Sequence, residues 1–510
     1  MSIILQQDVP FQLRDGTRCV AEVWLPDDGV PHPAVLMRTP YFKEQRTPLA
    51  HADPRKAVAR GYSMVIVDHR GRGGSEGAFD PFVDDEQDGV DTVAWVADQE
   101  WCDGRVVMVG TSYEGVAQWM TAAGHPPALR AIAPTLSSDD NIDIAFSNRV
   151  PELATTAIWH VAVLSGAMLD DTLAATRDVE AAITLAPRLA QWLGQPPDSE
   201  YWSSRSVVRR RSDMTAPALI VAGWYDFFQQ ASLRALERSV DNRDRMIIGP
   251  WAHDGGGLSH LVGETNVGIR GAGTAVFDWI LDFHDAALQE RDPELPRVRA
   301  YVLGAKKWLD LETWPPPGTQ GMTLDLAPGQ FTVDPKSPVP TRGGRGVQVF
   351  VNGSIGVVDQ QPLVGRQDVH VALRHRLEDE TLLAGPITAR LKTRTQPEPT
   401  PPDAKASPAT VSLGIDARLW VATLCISRPD GRLHNIAEGV ASSSPDDEDV
   451  TVELGDTFYL LPADTEIVLL VAGSSFPRWP VPDLGADQAV ITGSTISLTT
   501  VDTTLLDTEA

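Results

Sequence analysis

The sequence predicts an α/β domain interrupted by a helical insertion and followed by a β-sandwich. Three observations lead there. From Ala34 to Leu288, short apolar runs alternate with helical patterns, which is how a mostly parallel, doubly wound sheet reads. Between Asp139 and about Arg211 strand character vanishes and Ala, Leu and Trp dominate. Past Pro315-Pro316-Pro317 the texture turns to Thr, Val, Gly, Pro and Asp in short alternating runs, as in antiparallel sandwiches. At 510 residues the chain is too long for one core, so about two to three domains are expected.

Composition narrows the class. With 42% hydrophobic and 22% charged residues the chain reads as an ordinary globular protein. Its formal net charge of −26 disfavours nucleic acid and anionic membrane surfaces as partners. Cys19, Cys102 and Cys425 are scattered, with neither a disulfide framework nor metal-ligand spacing. Met1 to Pro10 carries no basic region followed by an apolar run, and no apolar stretch is long enough to span a bilayer, so a cytoplasmic protein is expected by default.

Taken in order, Phe11 to Leu25 alternates around Asp15-Gly16 and predicts a β-hairpin. Ala34 to Arg38 is a buried-type strand ended by Thr39-Pro40-Tyr41. Ala57 to Tyr62 reads as a helix end closed by Gly61. Ser63 to Asp68 is a strand, followed by the glycine-rich Arg70–Gly77. That loop lacks both G-x-G-x-x-G before a helix and the Lys-Ser/Thr of a P-loop, so it reads as structural. Asp85 to Asp98 predicts a helix with Val90, Val93, Ala94 and Ala97 on one face. Strands follow at Ala131–Leu136, Pro217–Ala222 and Arg245–Gly249, and helices at Ala231–Ser239 and Thr274–Leu288. Beyond residue 317, Val347–Val351, Ile387–Leu391 and Glu466–Val471 read as strands, and Gln396–Ser407 as a surface loop.

The chemistry centres on Arg105-Val106-Val107-Met108-Val109-Gly110-Thr111-Ser112-Tyr113-Glu114-Gly115. It predicts a strand, a tight turn holding a serine, and a helix opening. Such an elbow lifts a hydroxyl out of the sheet, as in the α/β-hydrolases. Glu114 stands where the second glycine of G-x-S-x-G usually sits. A serine hydroxyl needs a base, and the base needs an acid to hold its tautomer. In this fold they follow in the order serine, acid, histidine, each past the C-terminal end of a strand. Asp226, in Gly223-Trp224-Tyr225-Asp226, and His253, in Pro250-Trp251-Ala252-His253, have the right type, order and position. His69 precedes the serine, His125 ends the serine helix, His260 is farther from its strand, and Asp254 is too close to His253 to orient it. The Tyr113 backbone N–H is the expected first oxyanion donor. The loop after an early strand offers Arg38-Thr39-Pro40-Tyr41, where the Tyr41 hydroxyl could serve as the second. Asp139, Asp140 and Asp143 could hold a cation, but a helix N-cap and a solvated first turn are the preferred reading.

These residues, together with Asp68-His69-Arg70-Gly71, Ser75-Glu76-Gly77, Trp308, Trp314, Gly385-Pro386, Pro429-Asp430-Gly431 and Ser474-Ser475-Phe476-Pro477-Arg478, carry a resemblance along nearly the whole chain. The chain resembles the cocaine esterase family of serine hydrolases, related to the X-prolyl dipeptidyl peptidases and the α-amino-acid ester hydrolases. The resemblance accounts for Glu114, because Gly-x-Ser-Tyr-x-Gly is this family's elbow. It implies an α/β-hydrolase domain (1–138 and 212–317), a helical cap (139–211) and a C-terminal jelly roll (318–510). It implies a Ser112–His253–Asp226 triad with an oxyanion hole from the Tyr41 hydroxyl and the Tyr113 N–H, and no metal or organic cofactor. The second residue after the acid lines the family's pocket, and here it is Phe228; Trp159 and more loosely Phe146 align with aromatic pocket positions. Where amino-ester hydrolases place carboxylates for a substrate ammonium, this chain has Phe228 and Gln229. The expectation is a serine esterase or amidase acting on a small molecule with an apolar or aromatic acyl group. Acyl transfer through the same acyl-enzyme, X-Pro dipeptidyl peptidase activity, a non-catalytic binding role and homo-oligomerisation stay open at this point.

Overall fold

The structure, a computed structural model, describes residues 2–45, 52–164, 187–240, 242–253, 260–346, 355–397, 418–444, 446–481 and 486–507. A ten-stranded sheet forms its centre. Strands β1 (Ile3–Gln12) and β2 (Arg18–Pro26) make an antiparallel hairpin, with Phe11 opposite Cys19. Its turn is closed by Asp15, whose carboxylate accepts from the Thr17 N–H at 2.9 Å. Strands β3 (His32–Thr39), β4 (Ser63–Asp68), β5 (Cys102–Thr111), β6 (Leu129–Thr135), β7 (Leu219–Tyr225), β8 (Arg245–Ala252) and β9 (Val298–Val302) run parallel. Strand β10 (Lys307–Leu311) closes the far edge in the antiparallel sense.

Across the sheet the order is β1-β2-β4-β3-β5-β6-β7-β8-β9-β10. The chain steps outward from β3 to β4 and then returns to place β5 on the other side of β3. The winding therefore reverses there, and a crevice opens beyond the carboxyl ends of β3 and β5. Alternate residues serve opposite faces. Val35, Met37, Val107 and Val109 pack with Ala57 and Val58 of α1 (Pro54–Ala59) and with residues of the helix Val276–Leu288. Ala34, Leu36, Val106 and Met108 pack with Val93 and Val96 of α2 (Asp85–Ala97) and with Val116 and Trp119 of α3 (Tyr113–Ala123). Both faces are covered, which is why β4 and β7 are buried at every residue and read as unbroken apolar runs.

Helix α2 departs from the expectation. Its buried face is Asp85, Asp88, Gly89, Thr92, Val93 and Val96, whereas Ala94 is exposed and Val90 and Ala97 are only half-buried. Apolar periodicity misplaced the face because three polar residues on it are satisfied internally. Asp88 binds Arg70 at 2.7 and 2.9 Å, Thr92 donates to the Asp88 carbonyl at 2.6 Å, and Asp85 serves the site described below. The glycine-rich loop after β4 is structural in its bonding: the Asp68 carboxylate accepts from the Gly74 N–H at 3.0 Å, and Ser75 donates to the Asp68 carbonyl at 2.8 Å.

Between β6 and β7 the chain is not wholly helical. A two-residue hairpin pairs Phe146–Ser147 with Val150–Pro151. It precedes α4 (Leu153–Trp159), which runs into a π-turn at His160–Leu164. Helices α5 (Pro187–Leu193) and α6 (Glu200–Ser203) follow. After β10 two antiparallel sheets share one apolar core. One contains Thr381–Pro397, paired with Asp449–Leu461 and Thr495–Val501, and the other joins Val369–Arg376, Glu466–Ala472, Arg418–Ser427 and Leu433–Ser443. Phe331 of the first meets Trp420 of the second edge-on at 5.9 Å. The expected strands at Ile387–Leu391 and Glu466–Val471 lie inside longer ones. Val347–Val351 and residues 398–407 of the expected loop lie outside the described residues, and Gln396 and Pro397 end a strand. Among the described residues no helix is long and apolar enough to cross a membrane.

The insertion is bonded to the second sheet pair. Buried Arg478 donates to Glu152, at the start of α4, at 3.0 Å, and also pairs with Glu438; Trp479 Nε1 donates to the same Glu152 at 3.2 Å. Removing the cation leaves two carboxylates buried without their partner. Arg478→Met should therefore cost about 3–5 kcal/mol, read as a lower urea midpoint for the full chain; a midpoint equal to that of the unaltered protein would contradict the assignment.

Candidate active site

Strand β5 ends at Thr111 and α3 begins at Tyr113, so Ser112 alone makes the elbow. Its φ of 61° and ψ of −122° lie outside the usual regions for a residue with a side chain. The surroundings impose that geometry. Ser112 N–H donates to the Thr135 carbonyl of β6 at 2.9 Å, while its own carbonyl accepts from the N–H groups of Gly115 and Val116. Gly110, at φ 143°, lies so close to the helix that a Cβ there would stand 2.5 Å from that of Glu114; one on Gly115 would stand 2.4 Å from Ser137 Oγ. Glu114 has no exposure and accepts from the Thr111 N–H at 3.0 Å, tying the helix back to the strand. Gln118 completes the clamp, donating to Gly110 and accepting from Ala133 N–H at 2.8 Å.

At the crevice, His253 Nε2 lies 3.0 Å from Ser112 Oγ, and His253 Nδ1 lies 2.6 Å from Asp226 Oδ2. Asp226 is fully buried, and its other oxygen accepts from the Phe228 N–H at 2.7 Å. That bond orients the carboxylate so that Nδ1 carries the proton and Nε2 presents its lone pair to the serine. Both residues stand where expected, just beyond β7 and β8, and Asp254 lies outside the described residues.

Tyr41, past the end of β3, brings its hydroxyl to Ser112 and to the Tyr113 N–H. Burial raises the pKa of that hydroxyl above its ordinary value, against the opposing pull of its bonds with Ser112 and Trp159. Burial thus favours its neutral, proton-bearing form. Trp159 Nε1 donates to Tyr41 Oη at 3.3 Å, and the indole stacks on the Tyr113 ring at 5.6 Å. Phe228 is buried with its ring 5.8 Å from the His253 imidazole. Phe227 lies nearer, at 4.6 Å, and packs with Ala154 and Ile158 of α4; composition alone gave no reason to prefer Phe228's neighbour. Phe146 does not join this group in its ring packing: it is 7% exposed and meets Trp202 edge-on at 5.9 Å.

A layer beneath the serine escaped the sequence reading. Tyr113 Oη donates to Asp85 at 2.5 Å and accepts from the Phe82 N–H at 2.9 Å. Asp85 also meets His69 Nδ1 at 3.1 Å and accepts at its backbone carbonyl from Arg38 at 2.8 Å. Burial alone would raise the Asp85 carboxyl, but His69, Arg38 and Tyr113 outweigh it and hold the group down at about 2. The available signal was Asp85 at the opening of α2, where an apolar face was expected.

Asp139 is no helix cap, and Asp143 stands in the first turn of Asn141–Ile144, as the preferred reading has it, but paired rather than solvated. Asp139 pairs with Arg238 at 2.5 Å and with Arg211 at 3.4 Å, and Asp143 pairs with Arg234 at 2.7 Å. Asp140 is the N-cap residue of the short turn Asn141–Ile144, without a side-chain capping bond. Arginines distant in sequence supply the counter-charges, so local spacing misled. Among the described residues no group of His, Cys, Asp and Glu could hold a metal ion.

A mostly parallel sheet with a half-buried serine elbow, a histidine in reach of it and a buried carboxylate behind the histidine defines a serine hydrolase. The comparisons with known proteins agree. Residues 15–255 match the family model of X-Pro dipeptidyl-peptidase (S15 family), a span that contains Ser112, Asp226 and His253. Cocaine esterase from Rhodococcus sp. (strain MB1 Bresler) is 32% identical over 446 residues, covering 75% of this chain and 76% of its own. An aminopeptidase structure from a marine sediment Thaumarchaeota archaeon superposes with TM-score 0.81 at 19% identity, covering 98% of this chain and 96% of that one. An α-amino acid ester hydrolase structure gives 0.76 at 20%, with the same coverage. The chain belongs to the cocaine esterase family of serine hydrolases.

Tyr113→Phe keeps the backbone N–H but strips the Asp85 carboxylate of a donor and leaves the Phe82 N–H with Asp85 alone, at 3.1 Å, so stability should fall by about 1–3 kcal/mol. The pH sign follows from the depressed carboxyl. Its contribution is complete above the ordinary value of 3.8 and lost as pH falls toward 2. Losing a donor raises that pKa, so acid unfolding of Tyr113→Phe, followed by circular dichroism, should begin at a higher pH than in the unaltered chain.

Proposed function

We propose that this chain hydrolyses a carboxylic ester or amide of a small molecule through an acyl-enzyme on Ser112. The observation that carries the reading is the continuous chain of bonds from Asp226 through His253 to Ser112 Oγ. In it His253 Nε2 takes the serine proton as Oγ attacks the carbonyl carbon, and Asp226 stabilises the imidazolium that forms. The tetrahedral oxyanion receives hydrogen bonds from the Tyr113 N–H and the Tyr41 hydroxyl, both of which converge beside Ser112 in the resting site. His253 then returns the proton to the leaving alcohol or amine, and a water activated by the same imidazole releases the acid. Residues 1–138 and 212–317 act as the α/β-hydrolase domain, 139–211 as a cap and 318–510 as a jelly roll bracing both.

An apolar or aromatic acyl group fits the walls, since Phe227, Phe228, Trp159 and Ile158 gather around His253 and Tyr41. The family model's name favours one second reading, cleavage after X-Pro. Such a substrate needs an acceptor for its ammonium, and the residue placed to offer one, Gln229, is committed elsewhere: it donates to the Trp224 and Asp456 carbonyls and accepts from the Asp456 N–H. Turnover of X-Pro anilides at rates matching aryl esters would favour the peptidase, and transfer of the acyl group to an added amine would make the protein an acyltransferase.

Ser112→Ala should abolish turnover of aryl esters and labelling by a fluorophosphonate; a normal rate would end the proposal. Tyr41→Phe should lower kcat by roughly 10²–10³-fold, the worth of one oxyanion donor, and an unchanged kcat would remove its hydroxyl from the reaction.

A further inference from the structure

Tyr41 lies in a short loop whose residues on either side are held by one side chain. Arg72 Nε donates to the Pro40 carbonyl at 2.8 Å. The same guanidinium lies 4.7 Å from the centre of the Phe42 ring, with the Phe79 ring at 5.9 Å. The loop needs such a hold. Phe42 has a φ of 71°, a left-handed conformation that an aromatic residue adopts only under constraint. Tyr41 N–H also donates to Thr39 Oγ1 at 3.1 Å and Lys43 N–H to Asp68 at 2.7 Å, while Trp159 Nε1 reaches the Tyr41 hydroxyl itself at 3.3 Å. Arg72 is itself fixed by its backbone, its N–H donating to the His69 carbonyl at 2.9 Å. Its loop also shares an anchor with the Tyr41 loop, because Asp68 accepts from both Gly74 and Lys43.

We propose that Arg72 is a positioning residue that sets the Tyr41 hydroxyl for the oxyanion, an inference that rests on the reading of Tyr41 as an oxyanion donor. A planar guanidinium can donate in its plane to a carbonyl while offering its face to a ring; an ammonium cannot do both in one geometry. Donors to an oxyanion act in the transition state, where a displacement of about 1 Å is felt strongly, so the loss belongs in kcat and not in KM.

The test is the steady-state hydrolysis of a chromogenic aryl ester by Arg72→Met, Arg72→Gln, Tyr41→Phe and the Arg72→Met/Tyr41→Phe double variant, with melting temperatures measured alongside. Arg72→Met should lower kcat by roughly ten- to hundredfold with KM nearly unchanged. Arg72→Gln, which can still reach the Pro40 carbonyl but cannot cover the Phe42 ring as a cation, should lose less. In the Tyr41→Phe background Arg72→Met should cost under about twofold, because the donor it positions is gone. The proposal is overturned if Tyr41→Phe is impaired while both well-folded Arg72 variants keep the full kcat, or if the two single losses multiply in the double variant. An unimpaired Tyr41→Phe would overturn the oxyanion reading first and this one with it, which separates the two failures. Should Arg72→Met not fold, Arg72→Gln alone and with Tyr41→Phe decides the same cycle.

Discussion

The left-handed backbone of Ser112 is the constraint on which the site depends. A non-glycine residue held in such a region costs about 1–3 kcal/mol, and it persists only where the surroundings over-determine it. Here they do. The strand side is fixed by Thr135, the helix side by Gly115 and Val116, and the two are laced together by Glu114 and Gln118. The departure from G-x-S-x-G thus has a mechanical sense. Where a second glycine would merely leave room, the Glu114 carboxylate returns to the Thr111 N–H and closes the elbow from the helix side. A flexible serine could reach the same position, but only some of the time; a locked one presents its hydroxyl to His253 without further ordering.

The rest of the molecule extends this locking outward. Asp226 is followed by Gln229 and Gln230, which bond to Asp456 on the strand Asp449–Leu461. Trp314, between the two parts of the chain, donates to the other Asp456 oxygen at 2.8 Å. Through Arg478 the same sheets hold Glu152, the residue before α4, and the far end of α4 carries Trp159 to Tyr41. The acid's turn and the aromatic wall are therefore braced from one scaffold, although their residues are far apart along the chain.

What could be read from the sequence was what repeats or what has a fixed order. Fully buried strands announce themselves as apolar runs, and β4 was read to the residue, Ser63 to Asp68. Ser112, Asp226 and His253, which lie within bonding distance of one another, could be picked out because each follows a strand in a set sequence, and Tyr41 because its loop follows another. What could not be read were interactions between distant polar residues. Asp85, Asp139 and Asp143 each found a partner far along the chain, which their neighbours did not reveal, although the helix start at Asp85 and the first-turn place of Asp143 were legible. The burial of Asp85 also turned the face of α2, since a satisfied carboxylate can occupy a core position that periodicity reserves for an apolar one. Phe227 and Phe228 show a finer limit: which of two adjacent rings approaches His253 is decided by the turn after β7, and no pattern in the sequence records it.

Charge poses a last problem that the local structure answers. In the proposed reaction, a chain of net charge −26 sets up a field that would oppose the negative charge growing on a carbonyl oxygen. Screening removes most of the distant contribution, since exposed charges are felt over only about 8–10 Å in physiological salt. What remains must be met within the crevice, and it is met in layers. The innermost layer is neutral: a backbone N–H and a phenol whose proton burial retains. In the proposed reaction, neutral donors would stabilise the developing anion without binding a carboxylate product as a full cation would. The cations stand one residue farther out, Arg72 against the Pro40 carbonyl and Arg38 against Asp85, where their charge is engaged with protein groups and fixes geometry. The proposed oxyanion site would thus have charge in its support and dipoles at the reacting oxygen.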